Sequence, residues 1–231
     1  MNCRRYRLDQ VANFRDLGGY ACDEGVTKYG VIFRSTALNK ATKQDIEQIE
    51  RLGVRTVIDL RFPSETRELP DRLGEQMEYI NCSLMGSTRL EQLDIVNSSV
   101  VETKTLYRMY RLMLRNGQKE IRKALEVVAD ADGAVLFHCA AGKDRTGILA
   151  MLILSCMGVD REDILVDYQC SSTYITKFTT DISGSNIYNM KKVLEWIDKN
   201  WGGVPEYLQH IGAQSETIQK IKSKFVDNLY V

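Results

Sequence analysis

The stretch AVLFHCAAGKDRTG comprises residues 134–147 of this 231-residue chain. Its pattern predicts the central part of the fold. Ala134 to Phe137 is a short apolar run of the kind that forms a buried parallel strand. A loop of small residues begins at Cys139, and Arg145 closes it. Thr146 then opens a long apolar helix. A strand, a tight loop and a helix therefore follow one another directly.

The loop has the composition of an anion-binding site. Ala140, Ala141 and Gly142 are small enough to let the backbone curl so that successive N–H groups point to one centre. The following helix adds its N-terminal dipole and its free N–H donors. The same positive field lowers the pKa of a cysteine from about 8.5 into a range of roughly 3.5–7.5. Cys139 is therefore predicted to be a nucleophile that forms a cysteinyl-phosphate intermediate.

Three further residues of the segment fit the same task. Arg145 carries a planar guanidinium that matches two phosphoryl oxygens in a bidentate pair, which a lysine does not. Thr146 is expected to donate its hydroxyl to the sulfur, and His138 to order the loop backbone. The predicted substrate-binding residues are Ala140, Ala141, Gly142, Lys143, Thr146 and Gly147. Phosphate, vanadate or sulfate is expected to bind in this loop as an inhibitor.

The segment HCAAGKDRTG resembles the signature of the protein tyrosine phosphatase superfamily. Its Lys143-Asp144 pair is similar to the loop of the bacterial atypical branch. Members of this branch act on phosphotyrosine and in some cases on phosphoserine, phosphothreonine or phosphoinositides. Three other segments resemble that branch, namely NFRDLGGY (13–20), VIFRSTAL (31–38) and VIDLRFPSE (57–65). The resemblance implies an α/β phosphatase fold, with a central, mainly parallel sheet flanked by helices, and neither a metal nor another cofactor.

A proton donor is needed near the leaving oxygen of the substrate, and two aspartates are candidates for it. Better-known members of the superfamily place this aspartate on a separate loop before the cysteine, but residues 95–129 contain no aspartate. The pattern of the branch therefore favours Asp144, inside the loop, as the general acid. The alternative is that Asp144 pairs with Lys143 or Arg145 and only shapes the loop. Asp59 is the second candidate, although capping a helix or holding an arginine is the favoured interpretation for it.

Several other charged residues have roles that the sequence leaves open. Lys143 either extends the positive field to a second phosphate or is a solvated lysine or a partner of Asp16. Arg15 and Asp16 lie in a glycine-containing loop that the resemblance places near the active site, where Asp16 is a supporting residue. Arg34 and Arg61 end strand-like segments, and pairing within the structure is favoured for both over contact with substrate.

The remaining pattern indicates an α/β core that carries extra helices in a single domain, residues 1–231. A helix is expected over 43–52 after Thr42, strands over 56–60 and 77–82, and an irregular segment between Pro63 and Pro70. The pattern is helical from 89 to 131, with a break at Asn116-Gly117. Residues 89–116, rich in Arg and Tyr, either form a lid over the pocket or a plain amphipathic helix. The later helices are expected over 187–197, 205–210 and 215–225.

Composition excludes several classes of function. The chain has 31 basic and 31 acidic residues and no net charge, which gives no broad footprint for nucleic acid. Six scattered cysteines and the lack of a hydrophobic run after Met1 favour reduced thiols in the cytoplasm. The longest apolar run, residues 148–157, is too short for a transmembrane segment. Two histidines without a carboxylate–histidine spacing give little support for a metal site.

Two alternative classes remain beside the phosphatase. Sulfur transfer of the rhodanese type also uses a cysteine in a strand–loop–helix cradle, but Arg145 followed by Thr146-Gly147 argues against it. A silent phosphate-binding module would normally have lost Cys139 or Arg145. The predicted activity is hydrolysis of phosphomonoesters, with phosphotyrosyl proteins as the first substrate. A phosphoinositide or another phosphorylated small molecule is the alternative.

Overall fold

A computed structural model describes residues 4–85, 103–175 and 186–228. The strands in chain order are β1 (Arg15–Asp16), β2 (Ala21–Cys22), β3 (Gly25–Thr27), β4 (Ile32–Ser35), β5 (Val54–Asp59), β6 (Glu78–Asn81), β7 (Ala134–His138) and β8 (Val226–Asn228). Five of them form a sheet in the order β1-β4-β7-β5-β6, in which β1 alone runs antiparallel to its neighbour. The expected α/β fold with a central, mainly parallel sheet is confirmed.

The middle strand of this sheet, β7, is the strand predicted to precede the loop. All its residues are buried, as in parallel sheets covered on both faces. The neighbouring strands β4 and β5 end at Ser35 and Asp59, and both of these residues pair with His138. The carboxyl ends of three parallel strands therefore meet where Cys139 follows. This is the edge of an α/β sheet at which ligands bind.

Helices cover both faces of the sheet. They are α1 (Lys43–Arg51), α2 (Pro63–Glu68), α3 (Thr103–Asn116), α4 (Gln118–Asp130), α5 (Asp144–Cys156), α6 (Arg161–Tyr174), α7 (Ile187–Trp201), α8 (Val204–His210) and α9 (Ser215–Phe225). Alternate residues of β7 face opposite sides, as the period of a strand requires. Val135 and Phe137 join a large apolar cluster with α3 to α9, whereas Ala134 and Leu136 join a smaller one with α1.

The helix boundaries confirm some predictions and correct others. Thr42 caps α1, and the break at Asn116-Gly117 separates α3 from α4. The segment between Pro63 and Pro70 was expected to be irregular, but it forms α2, because a proline at the first helical position loses no hydrogen bond. The helix after the loop begins at Asp144 rather than Thr146. Of the stretch predicted to be helical from residue 89, residues 89–102 lie outside the described part.

A second, small sheet was not predicted. It consists of β2, β3 and β8 in that order, and both pairings are antiparallel. Its strands have two or three residues each, too few for an alternating pattern to stand out in a sequence. Among the described residues, no helix has the length and apolar character needed to cross a membrane.

Candidate active site

The loop between β7 and α5 is tightly packed against the end of β4. Gly142 adopts a φ of 63°, and a Cβ at this position would lie 2.1 Å from the carbonyl oxygen of Ser35. Only a glycine fits both the conformation and this close approach. The Ala37 N–H donates to the Ala140 carbonyl at 3.1 Å, which ties the start of the loop to the chain after β4.

The carbonyl groups of the loop are held from beneath by side chains of the N-terminal segments. Arg34 Nη2 lies 2.9 Å from the Gly142 carbonyl oxygen, and Asn13 Nδ2 lies 2.7 Å from the same atom. Arg34 was expected to pair within the structure rather than to bind substrate, and its contacts agree with that expectation. The predicted anion-binding loop is therefore anchored by two side-chain hydrogen bonds to the Gly142 carbonyl oxygen.

Arg34 belongs to a buried cluster that we call the Asp167 clamp, formed by Arg15, Arg34 and Asp167. Arg15 Nε and Arg34 Nη1 contact the two carboxylate oxygens of Asp167 at 2.9 and 2.6 Å. Burial opposes ionisation of Asp167, but the two guanidinium groups outweigh it and lower its pKa to about 2. Asp167 could not be recognised as a partner from the sequence, because it lies in an ordinary helical stretch of α6.

Cys139 is buried directly after the central strand. Burial opposes ionisation of its thiol, yet the charge of Arg145 and hydrogen bonds from the Thr146 hydroxyl and N–H outweigh it and lower the pKa. The Thr146 hydroxyl is itself buried and has no hydrogen-bond partner of ordinary geometry among the described residues. Its contribution to the lowered pKa of the Cys139 thiol is in the direction expected from the sequence.

Arg145 lies in the first turn of α5 and forms a bidentate pair with Glu65 of α2. Its Nη1 and Nη2 atoms lie 2.5 and 3.0 Å from Oε2 and Oε1 of Glu65. Burial opposes the charge of Arg145, but the Cys139 thiolate and Glu65 raise its pKa. Glu65 Oε2 also accepts the N–H of Phe62 at 2.8 Å, which fixes the carboxylate. Glu65 was not predicted, although it ends the segment VIDLRFPSE that resembles the family.

A second ionic layer lies beneath the loop, around His138. Its Nε2 is 3.0 Å from Asp71, and Arg61 Nη2 is 2.6 Å from Asp59 and 2.9 Å from Asp71. Burial alone would lower the pKa of His138, but the bond to Asp71 and the neighbouring carboxylates raise it. Asp59, which also accepts from the Tyr79 hydroxyl, holds an arginine, as favoured from the sequence.

The same three groups, Asp59, Asp71 and His138, place their ligand atoms within 4.8 Å of one another, as a metal site would. However, the guanidinium of Arg61 bridges the two carboxylates, and a cation of the protein itself therefore occupies the position between them. Since Arg61 already pairs with both carboxylates and offsets part of their negative charge, the donor set fits an ion-pair network rather than a metal site.

Asp144 lies in the first turn of α5, next to Arg145, and its side chain is 22% exposed. The Tyr110 hydroxyl donates to its Oδ1, and Lys143 Nζ lies 3.8 Å from its Oδ2. Lys143 is nearly buried and was expected to be either solvated or paired with Asp16 if it did not bind a second phosphate. The observed partner is Asp144, and this pairing is the one given above as the alternative role of Asp144.

Asp16 supports the loop after β1 rather than the catalytic loop. Its two carboxylate oxygens accept the N–H groups of Gly18 and Gly30 at 2.8 and 2.6 Å. Burial raises its pKa to about 6 against the effect of these hydrogen bonds. Asp16 thus closes the glycine-containing turn that leads into the Asp167 clamp.

A pocket of about 370 Å³ opens beside the loop. Its lining includes Ala140 and Ala141 of the loop, Glu65 and Leu69 from α2 and its C-terminal end, Ile175 and the exposed Lys40. The walls thus combine apolar side chains with a few charged groups, as is usual for a ligand pocket.

A thiol of lowered pKa, a bidentate arginine and a carboxyl group on one strand–loop–helix define a cysteine-dependent phosphatase. The chain belongs to the tyrosine phosphatase family, whose model matches residues 6–227. It is 30% identical to a tyrosine-protein phosphatase of Nostoc commune, over 87% of this chain and 76% of that protein. It is 26% identical to the triple specificity protein phosphatase PtpB of Mycobacterium tuberculosis, over 91% of this chain and 95% of that protein. The predicted superfamily and the predicted hydrolase activity are confirmed.

Two solved structures show weaker similarity. TpbA of P. aeruginosa matches 70% of this chain and 87% of its own with 17% identity and a TM-score of 0.33. The catalytic domain of the phosphatase Siw14 of S. cerevisiae matches 79% and 95% with 17% identity and a TM-score of 0.36. Scores this low do not define a shared fold.

Proposed function

We propose that this tyrosine phosphatase hydrolyses phosphotyrosine in proteins, with Cys139 as nucleophile, Arg145 as phosphate ligand and Asp144 as general acid. The observation that carries the proposal is the surrounding of the Cys139 sulfur, where Arg145 and Thr146 lower the pKa of a buried thiol. Burial alone disfavours the charge of a thiolate, so it does not explain an ionised Cys139. It is, however, the form that attacks phosphorus.

In the first step, the Cys139 thiolate attacks phosphorus and the bond from phosphorus to the leaving oxygen breaks. Asp144 gives its proton to that oxygen, so that a neutral phenol departs. In the second step, a water attacks the phosphocysteine, Asp144 takes the proton of this water, and the thiolate leaves. Inorganic phosphate is the product. The guanidinium of Arg145 and the backbone of residues 140–147 bind the phosphoryl oxygens in both steps.

The pocket beside the loop supports an aromatic phosphoester. Leu69, Ile175 and the alanines of the loop give it apolar walls, against which a phenyl ring loses contact with water. Lys40 at the rim is suited to an acidic residue that flanks the phosphotyrosine.

Lys143 supports a second candidate substrate, a phosphoinositide or another small phosphoester. Its charge lies beside the loop, within 3.8 Å of Asp144, where a second phosphate group would meet it. One similar protein is named a triple specificity phosphatase. Turnover of phosphotyrosyl peptides and of phosphoinositides in vesicles, compared at equal enzyme concentration, separates the two. A clear preference for the lipid would move the assignment to the second candidate.

We propose further that residues 1–231 act as one cytoplasmic phosphatase domain. The family match over residues 6–227 and the large apolar cluster that joins α3 to α9 support a single domain. The cysteines of the described residues are free thiols, which agrees with a reducing compartment.

The substitution Cys139→Ser tests the nucleophile. A serine hydroxyl in this loop stays protonated at neutral pH, so we expect turnover to be lost completely while a phosphotyrosyl peptide still binds. Steady-state kinetics and calorimetric titration with the peptide measure the two properties. Cys156→Ser is the matched control and should retain activity, because Cys156 is also buried but is the last residue of α5. Activity of Cys139→Ser near that of the unmodified enzyme would refute the assignment.

A further inference from the structure

Two buried tyrosines connect Asp144 to the helices behind the loop. Tyr110 lies on α3 and Tyr168 on α6, and both are at most 1% exposed. The Tyr110 hydroxyl contacts Oδ1 of Asp144 on one side and the Tyr168 hydroxyl at 2.6 Å on the other. Three groups from three helices thus form one continuous hydrogen-bonded array that ends at the proposed general acid.

The direction of these hydrogen bonds follows from the chemistry of the groups. An ionised carboxylate only accepts hydrogen bonds, so the Tyr110 hydroxyl donates to Asp144. Tyr110 has one hydroxyl proton, and Tyr168 must therefore donate to Tyr110. Asn189 of α7 hydrogen-bonds the Tyr168 hydroxyl in turn. Burial, together with the nearby charge of Asp144, raises the pKa of both tyrosines, so both keep their protons at neutral pH.

We propose that Tyr110, held by Tyr168, is a positioning residue that fixes Oδ1 of Asp144 as an acceptor and leaves Oδ2 as the oxygen that transfers the proton. The proposal rests on the assignment of Asp144 as general acid. Oδ2 is the oxygen nearer to Lys143, on the side away from the two tyrosines. With Oδ1 bound in both protonation states, no buried hydroxyl loses its partner during turnover.

The dependence of the rate on the leaving group reports this positioning, because only a poor leaving group needs the proton of Asp144. A merely structural tyrosine would affect poor and activated esters alike.

The substitutions Tyr110→Phe and Tyr168→Phe test the proposal, with kcat/KM measured for phenyl phosphate and for an activated nitrophenyl phosphate. For Tyr110→Phe we expect about a 10-fold loss on phenyl phosphate, and at most about a 2-fold loss on the activated ester, because only the poor leaving group needs the proton. Tyr168→Phe should show the same pattern with a smaller loss.

Tyr207→Phe is the matched control, because it removes another buried hydroxyl, one that donates to the Leu114 carbonyl at 2.8 Å away from the loop. It should leave kcat/KM for both esters unchanged. Should Tyr110→Phe fail to fold, Tyr168→Phe carries the same test.

Asp144→Asn separates this proposal from the assignment on which it rests. If Asp144→Asn loses activity equally on both esters, Asp144 is not the acid, and both proposals are overturned. If its loss is confined to phenyl phosphate while Tyr110→Phe and Tyr168→Phe lose activity equally on both esters, only the role of the tyrosines is overturned. In the background of Asp144→Asn, the selective effect of Tyr110→Phe should disappear; its persistence would show that Tyr110 does not act through Asp144.

Discussion

Two arginine–carboxylate clusters hold the catalytic loop, and they differ in exposure. In the Asp167 clamp, the side chains of Arg15, Arg34 and Asp167 are at most 2% exposed. In the pair on the pocket side, Arg145 is 14% and Glu65 25% exposed. The first cluster binds the Gly142 carbonyl of the loop through Arg34, whereas the second contains Arg145, which we propose as the phosphate ligand.

The difference in exposure separates a permanent contact from an exchangeable one. Charges that are fully buried depend on their partners, because no water replaces a lost ion pair. A partly exposed pair gains less, since solvent screens it. Arg145 is therefore able to direct N–H groups to a phosphoryl group without a large loss of stability. Arg34 stays hydrogen-bonded to the Gly142 carbonyl. The buried cluster holds the loop, and the partly exposed cluster carries the proposed phosphate ligand.

The largest effect is expected when the buried cluster is broken by Asp167→Asn. This change leaves two buried guanidinium groups without a carboxylate and should destabilise the fold by about 3–5 kcal/mol, with loss of activity. Asp198→Asn is the control, because it removes a carboxylate from the exposed pair with Arg161; it should cost less than about 1 kcal/mol. Urea unfolding measures both. Similar losses in the two variants would contradict the distinction between the clusters.

The buried cluster can also be tested in the unmodified protein, by measuring the free energy of unfolding as the pH is lowered. The folded-state pKa of Asp167 is lowered from 3.8 to about 2. Its contribution to stability is therefore complete above the unfolded-state pKa near 4 and is lost as the pH falls through about 2. Asp167→Asn should remove this part of the acid dependence.

A smaller effect is expected when Glu65→Gln breaks the partly exposed pair of Arg145 and Glu65. The amide keeps the shape but loses the charge that orients Arg145, so kcat/KM should fall by about 10-fold. The free energy of unfolding should change by less than about 1 kcal/mol. Glu47→Gln on α1, whose glutamate is an exposed partner of Lys43 and Arg51, should leave both unchanged. A loss of stability as large as that of Asp167→Asn would show that Glu65 is a structural residue.

The sequence predicted the loop because all its parts are neighbours in the chain. The strand, Cys139, the small residues and Arg145 lie within 14 positions, and their roles follow from local geometry and residue type. The class of the sheet, central and mainly parallel, was equally predictable, because buried apolar strands that alternate with helices form parallel sheets.

The partners of the loop could not be predicted because they are distant in sequence. Glu65 lies 80 positions from Arg145, and Asp167 lies 152 positions from Arg15. A carboxylate on a helix has the same local pattern whether it faces solvent or a buried arginine. Tyr110 likewise reads as an apolar position of α3, and its contact with Asp144 becomes evident only when α3 and α5 are packed together.

The smallest effect is expected at the Cys139 sulfur. Here the charge of Arg145 is compared with a hydrogen bond from the neutral Thr146 hydroxyl. Arg145 contributes more to the lowered pKa of Cys139 than the Thr146 hydroxyl does. Thr146→Val removes the hydroxyl and keeps the shape and the backbone N–H, so the pKa of the thiol should rise by about one unit or less. The pH dependence of inactivation by iodoacetamide measures this shift. Thr27→Val, which removes a buried hydroxyl bonded to the Leu17 carbonyl, should leave the midpoint unchanged. An unchanged midpoint in Thr146→Val as well would mean that the exposed arginine and the backbone keep the thiolate charged without the hydroxyl.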